Sequence, residues 1–179
     1  MNNNTFVHKY IKPLIRKDDL VVDMTAGNGN DTLFLSKLAG KVIAFDISKE
    51  AIRRCKEKLK DCGNVVLIND DHVSIDKYLQ EKARLFIFNL GYLPNSDKKT
   101  ITQAEKTLIA FKKAYELLED KGYLIVTFYR GHKGGKDEFY LLSEHINKNR
   151  FHIYETYCQP KLDAPVTVII RKDQSSTSI

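Results

Sequence analysis

The sequence lacks the features that would place it in a membrane or in an oxidising compartment. It has three cysteines, Cys55, Cys62 and Cys158, with no Cys-x-x-Cys pair and an odd number in all. That excludes a disulfide framework and a zinc knuckle as organising devices. No apolar run approaches the roughly 20 residues that a membrane-spanning helix needs. Met1 is followed by Asn-Asn-Asn-Thr rather than by basic residues and an apolar stretch, so no export signal is expected. Internal repeats and low-complexity linkers are also absent. A soluble, cytoplasmic protein with no metal and no membrane partner is expected.

What is present suits one globular domain. The 179 residues are 42% hydrophobic and 29% charged, with nine Tyr and nine Phe, enough to bury one sizeable core. Residues 1–172 read as the domain, and 173–179 as a polar tail. Lys and Arg number 29 against 23 Asp and Glu, a net charge of +6, which favours a polyanionic partner. Oligomeric state is left open, a homodimer included.

Five apolar runs, Leu20 to Met24, Val42 to Phe45, Val65 to Ile68, Leu85 to Phe88 and Tyr123 to Phe128, are mostly continuous rather than alternating. Buried parallel strands read this way. Helical stretches separate them: 31–38, 49–59, 75–79 and a long one from about Ile101 to Leu118, with a capping box at Thr100 and Gln103. A helix over 5–15, interrupted by Pro13, precedes the first strand. Another near 137–146 precedes two strands, 151–157 and 166–170, joined through Pro160 and Pro165. The expectation is an α/β fold: a doubly wound, mostly parallel seven-stranded sheet with an antiparallel C-terminal pair. Helices lie on both faces, and ligands lie at the carboxyl ends of the strands.

The loop after the first strand reads Asp23-Met-Thr-Ala-Gly-Asn-Gly-Asn-Asp31. Gly27 and Gly29 permit positive φ and close approach of a ligand, and the following helix start offers free N–H groups. A dinucleotide fingerprint would place a third glycine where Thr32 stands, which disfavours NAD. Asp46 ends the second strand, where a carboxylate can accept both hydroxyls of a ribose or cap a helix beside Ser48. Asp71 and His72 follow the third strand, either beside an adenine or as a loop cap and a solvated imidazole.

These residues resemble the class I S-adenosylmethionine-dependent methyltransferases over nearly the whole chain. Thr25 to Thr32, Asn89-Leu-Gly-Tyr-Leu-Pro94 and Gly131-His-Lys-Gly-Gly135 are more narrowly similar to the small bacterial family called putative rRNA methylases. That family is associated with methylating the 5-aminomethyl group of the tRNA wobble uridine. The resemblance implies a Rossmann-like fold and S-adenosylmethionine as cofactor. Its binding would fall to Asp23, Thr25, Ala26, Gly27, Asn28, Gly29, Asn30, Asp31, Asp46, Ile47, Asp71 and His72. It also implies tRNA, through its anticodon stem-loop, as partner.

The acceptor would be set by the fourth and fifth loops. Asn89 stands where amino-methylating enzymes carry Asn-Pro-Pro-Tyr. Its side-chain oxygen and the next carbonyl can accept from an amine, while Tyr92 stacks on a base. Leu90 and Gly91 replace both prolines, which leaves a non-catalytic cofactor-binding RNA module open, and the same loops could serve an rRNA base methylase. Methylation at pyrimidine C5 needs a Cys nucleophile, and no cysteine falls in these loops. Ribose 2′-O transfer wants an ionised acid or a lysine where the neutral Asn89 stands, so nitrogen is the expected acceptor. Tyr129 and His132 are expected to orient the amine or take its proton, and Arg130, Lys133 and Lys136 to meet RNA phosphates. His8 resembles a family position near the cofactor, although a lone helical histidine is commonly structural. The five cations of 53–60 read as a solvated helix face away from this rim.

Overall fold

A continuous apolar run makes a stable strand where both faces of a sheet are covered, and the chain uses its runs in that way. The structure, a computed structural model, describes residues 1–91, 104–132, 134–161 and 163–173. Tyr92, the Thr100 and Gln103 capping pair, Lys133 and the tail from 174 onward lie outside them. β1 (Leu20–Asp23), β2 (Lys41–Phe45), β3 (Val65–Ile68), β4 (Ala83–Leu90) and β5 (Leu118–Phe128) are parallel. β6 (Ile153–Cys158) and β7 (Val166–Arg171) form the antiparallel pair, with β7 inserted against β5. The order is β3-β2-β1-β4-β5-β7-β6, the seven-stranded sheet that was expected.

Alternate strand residues enter opposite layers. Val21, Leu85, Ile87 and Ile125 meet α1 (Asn3–Ile11) and α2 (Asn30–Ser36) through Val7, Ile11 and Leu35. α3 (Lys49–Lys58) closes that layer where Cys55 packs with Ala26 and Ala44. Val22, Phe86, Phe88 and Val126 face the other way. They pack on Ile75 of α4 (Ile75–Tyr78), Phe111 of α5 (Ala104–Glu116) and Leu142 of α6 (Gly135–Lys148).

Two boundaries depart from the sequence pattern. The apolar spacing carried the long helix to Leu118, but α5 stops at Glu116 and Leu118 pairs with Ala83 in the sheet. Lys172 stabilises this early end: its Nζ donates to the carbonyls of Tyr115 at 3.0 Å and Leu118 at 2.9 Å, groups that a helix end leaves open. The fifth strand begins ahead of the apolar run at Tyr123, with Lys121 at φ 61° and Gly122 inside it. At the N-terminus, α1 gives way after Ile11 to a 3₁₀ turn, Lys12–Leu14, that holds Pro13. Asn2 caps α1 by accepting from the Thr5 N–H at 2.8 Å.

α1 is docked on the sheet by a buried polar chain. Asn3 Nδ2 donates to Thr167 Oγ1 at 3.0 Å and to the Pro165 carbonyl at 3.2 Å, and the Thr167 hydroxyl lies 2.9 Å from that of Thr127. Buried groups of this kind are costly when left unpaired. Thr167→Val should therefore destabilise the protein by about 1–3 kcal/mol, read as a lower urea midpoint at unchanged slope. An unchanged midpoint would show that the chain does not fasten α1.

Candidate active site

β1 and β4 are neighbours although two strands and their helices separate them in sequence, so the strand order reverses between them and their ends leave a crevice. Asp23 closes β1 and is fully buried. One of its oxygens accepts from the Thr25 N–H at 3.1 Å, and the other accepts from the Thr32 hydroxyl at 2.7 Å, which ties the strand end to α2. Gly27 and Gly29 take φ of 54° and 72°. A Cβ at Gly29 would stand 3.0 Å from Cys55 Sγ, so both backbone shape and space demand glycine there.

The second loop grips the first. The Gly27 N–H donates to Asp46 Oδ2 at 2.8 Å, and the Ser48 N–H donates to Asp46 Oδ1 at 2.8 Å. Each oxygen thus has one donor and room for another. Burial pushes this carboxyl up, against the two N–H groups and His72. Ile47, beside it, is 56% exposed and offers an apolar face at the rim. Asp71 caps a 3₁₀ turn through the Val73 N–H at 3.1 Å and pairs with Lys106 at 2.9 Å. His72, for which a solvated imidazole was one expectation, is buried instead. Its Nδ1 is 3.2 Å from the Met24 carbonyl and its ring lies edge-on to Phe88. Desolvation pushes its pKa down.

The end of β4 is fastened across the crevice. The Asn89 N–H donates to Thr25 Oγ1 at 2.8 Å, and Asn89 Nδ2 donates to Asp31 Oδ2 at 2.7 Å. The carboxamide is therefore turned with Oδ1 away from Asp31. The next carbonyl, that of Leu90, already accepts from the Tyr129 N–H at 3.0 Å. Gly91 makes room for the Tyr129 ring, which would lie 3.3 Å from a Cβ at that position. The Tyr129 hydroxyl donates to Asn4 Oδ1 at 3.0 Å. Burial, then Asp31, pushes its pKa up, which disfavours the phenolate.

Asp31 was expected among the cofactor residues, and its other oxygen lies 2.5 Å from His8 Nε2. The His8 ring is stacked flat on Phe34 at 3.8 Å. α1 thus supplies two residues to this rim, Asn4 and His8. Their i, i+4 spacing, which puts them on one helix face, was the available signal, and the sequence reading passed over Asn4.

The fifth loop is used differently from expectation. The His132 ring folds back on α6, where Nε2 would be 2.9 Å from a Cβ at Gly135. Arg130 was expected to meet phosphate, yet it donates to the Ala164 carbonyl at 2.9 Å and stacks over Phe139. Lys136 pairs with Asp163 at 3.6 Å. By contrast α3, expected away from the rim, reaches the glycine turn. Arg54 is 3.4 Å from Asn28 Oδ1, and Lys58 donates to Asn30 Oδ1 at 2.6 Å. These four residues and Glu57 line an open cleft of about 560 Å³. Among the described residues no cluster of His, Cys, Asp and Glu could hold a metal, and no helix is long and apolar enough to cross a membrane.

A Rossmann-like sheet in this strand order, with a glycine turn after β1 and acids after β2 and β3, defines a class I methyltransferase domain. The chain belongs to the putative rRNA methylase family, whose model matches residues 42–172. It is similar to the crystal structure of a putative rRNA methylase from Clostridium thermocellum, with 36% identity and a TM-score of 0.87 over 96% of this chain and 98% of that one. A putative methyltransferase from Streptococcus mutans, solved in complex with SAH, gives 37% identity and a TM-score of 0.85 over 96% and 98%. The chloroplastic tRNA (mnm(5)s(2)U34)-methyltransferase of Arabidopsis thaliana is 38% identical over 73% of this chain. The match spans about half, 54%, of that longer protein.

Burial pushes the Asp23 carboxyl up to about 7, helped by Asp31 and Asp46 and opposed by its bonds from Thr32 and Thr25. Between the ordinary carboxylate range and about 7, the folded chain holds a proton that the unfolded chain has lost. Stability therefore falls as pH rises through that window, by about 1.4 kcal/mol per unit of pKa difference. Asp23→Asn can keep both bonds, because the Thr32 hydroxyl can accept where it now donates. It should flatten this part of the stability profile, measured by urea unfolding from acid to neutral pH. A parallel profile in the variant would place the dependence elsewhere.

Proposed function

We propose that the protein is an S-adenosylmethionine-dependent RNA methyltransferase acting on the aminomethyl nitrogen of 5-aminomethyl-(2-thio)uridine at the tRNA wobble position. The product is the 5-methylaminomethyl form, and the anticodon stem-loop is the part of the tRNA engaged. The observation that carries the reading is the Asn89 carboxamide. With Nδ2 committed to Asp31, Oδ1 is left as an acceptor beside the glycine turn, where an amine N–H can be held and its lone pair aimed. The Arabidopsis relative's name and the SAH bound by the Streptococcus protein support it.

The crevice suits the cofactor. The turn from Asp23 to Asp31 lets backbone approach a ligand, Asp46 has acceptor capacity left for ribose hydroxyls, Ile47 offers an apolar face to adenine, and Asp71 with His72 closes that side. Bound there, the cofactor supplies a methyl group already activated by its sulfonium. The chain then has to align a neutral nitrogen about 3 Å from that methyl and exclude water. Tyr92 would stack on the target base, and Tyr129, donating to Asn4, would brace the wall behind it. The family description, putative rRNA methylase, supports methylation of rRNA as a second reading.

Nucleoside mass spectrometry of tRNA treated with the purified protein separates the readings. tRNA from cells lacking this activity should gain one methyl on 5-aminomethyluridine, while methylation of rRNA alone would reject the wobble assignment. Asn89→Ala should slow single-turnover transfer about 100-fold with cofactor affinity unchanged. Asp46→Ala should do the reverse, weakening cofactor binding by about 10- to 150-fold through loss of a charge-assisted contact. A wild-type transfer rate in Asn89→Ala, or wild-type affinity in Asp46→Ala measured by calorimetry, would remove the corresponding role.

A further inference from the structure

We propose that Asn69 is a positioning residue for the cofactor: its side-chain amide holds the loop after β2 in the shape that presents Asp46 to a ribose. This rests on the cofactor reading of the crevice and is independent of which RNA is methylated. Asn69 directly follows β3, the strand beside β2 at the edge of the sheet. Its Nδ2 donates to the Asp46 carbonyl at 2.9 Å and to the Ile47 carbonyl at 3.1 Å, so both amide hydrogens serve one loop. The Asp46 N–H donates to the Ile68 carbonyl at 3.1 Å, which joins the same two segments a third time.

Peptide planarity carries these two bonds through to the carboxylate. In a trans peptide the carbonyl and the N–H of one plane point in opposite directions, and no cis bond occurs among the described residues. The Ile47 carbonyl and the Ser48 N–H share a plane. Asn69 holds its carbonyl end, and Asp46 Oδ1 accepts from its N–H end at 2.8 Å. The preceding plane is held by Asn69 through the Asp46 carbonyl. Asn69 thus fixes the planes on either side of Ile47, and with them the N–H that orients the Asp46 carboxylate.

The rest of the site makes this tie the one on which Asp46 depends. Among the described residues no lysine or arginine pairs with Asp46, whose oxygens accept from the Gly27 and Ser48 N–H groups. Neutral donors of this kind orient a carboxylate only where the backbone that carries them is itself held. Gly27 sits in a turn with its own bonds, from the Ala26 N–H to the Phe45 carbonyl and from the Gly29 N–H to the Ala26 carbonyl, both 2.7 Å. Ser48 caps α3 by accepting from the Ala51 N–H at 3.3 Å, which holds the far end of the second loop. Between these anchors the Ile47 side chain is 56% exposed and gives the loop little packing. The Asn69 side chain spans that gap.

The test measures calorimetric affinity of the full chain for S-adenosylhomocysteine in wild type, Asn69→Ala, Asn69→Asp, Asp46→Ala and the Asn69→Ala/Asp46→Ala double variant. Urea unfolding and single-turnover transfer to tRNA carrying 5-aminomethyluridine accompany it. Loosening the loop lowers the fraction of chains ready to bind, and the apparent dissociation constant rises in proportion. Asn69→Ala should bind about 3- to 10-fold more weakly, the range for losing an ordinary hydrogen bond. Asn69→Asp, which keeps the shape but cannot donate, should bind at least as weakly. Saturating S-adenosylmethionine should restore the transfer rate of Asn69→Ala. In the Asp46→Ala background the Asn69→Ala step should cost little further affinity, because the two residues act as one unit. Three results would each overturn the proposal: wild-type affinity in Asn69→Ala, an undiminished loss in the Asp46→Ala background, or a lower urea midpoint as the only change. The second would give Asn69 its own contact with the cofactor, and the third would leave it a purely structural role. A wild-type protein that does not bind S-adenosylhomocysteine would overturn the cofactor reading and the inference with it. Binding without methylation of this tRNA would reject the wobble-uridine reading alone, and the affinity comparison would still decide the role of Asn69.

Discussion

The Asp31 carboxylate joins three parts of the chain that are remote in sequence. It stands in the first turn of α2, takes a hydrogen bond from the end of β4 and lies against a histidine from α1. Charge-assisted hydrogen bonds are the stronger kind, and at the mouth of a crevice they set direction as well as distance. The orientation of Asn89 follows from this contact, since one end of its carboxamide is consumed and the other is turned to the crevice. The position of α1 follows in part as well, although the buried chain through Asn3, Thr167 and Thr127 holds its N-terminal end independently.

Behind that carboxylate lies a second one under a different constraint. Asp23 is fully buried and close enough to Asp31 for the two charges to oppose each other. It is tolerated because both of its oxygens accept hydrogen bonds that shape the turn. Keeping two acids near one another at a strand end raises the cost of ionising the inner one. Asp46 and Asp71 add two more acids on the neighbouring loops, so the crevice itself is acidic on a chain with a net charge of +6.

Among the described residues, several cations are taken up by contacts within the fold. Arg130 holds the turn before β7 and Lys136 pairs with Asp163, while Lys172 closes the end of α5. Each cation does a structural job that a count of charges does not reveal. The cations that reach the cofactor turn come from α3, where Arg54 and Lys58 bond to Asn28 and Asn30. An amphipathic helix pattern shows that such residues face outward, but not which loop lies beside them.

The sheet and the edge that carries the glycine turn could be read along the chain. Continuous apolar runs require burial on both faces, and glycines at 27 and 29 require a turn that other residues would strain, so strands, turn and crevice were legible locally. The positions of Asn89 and Asp46 at strand ends were legible for the same reason. The tertiary structure alone decided that Leu118 belongs to a strand, because its pairing with Ala83 and the Lys172 cap come from segments far along the chain. It also decided that His72 is buried, that Arg130 binds a carbonyl, and that Asn4 accepts from the Tyr129 hydroxyl. Periodicity reports which face of an element is apolar, whereas a hydrogen-bond partner 58 or 125 residues away, as for Asn89 with Asp31 or Tyr129 with Asn4, is settled only when the layers pack.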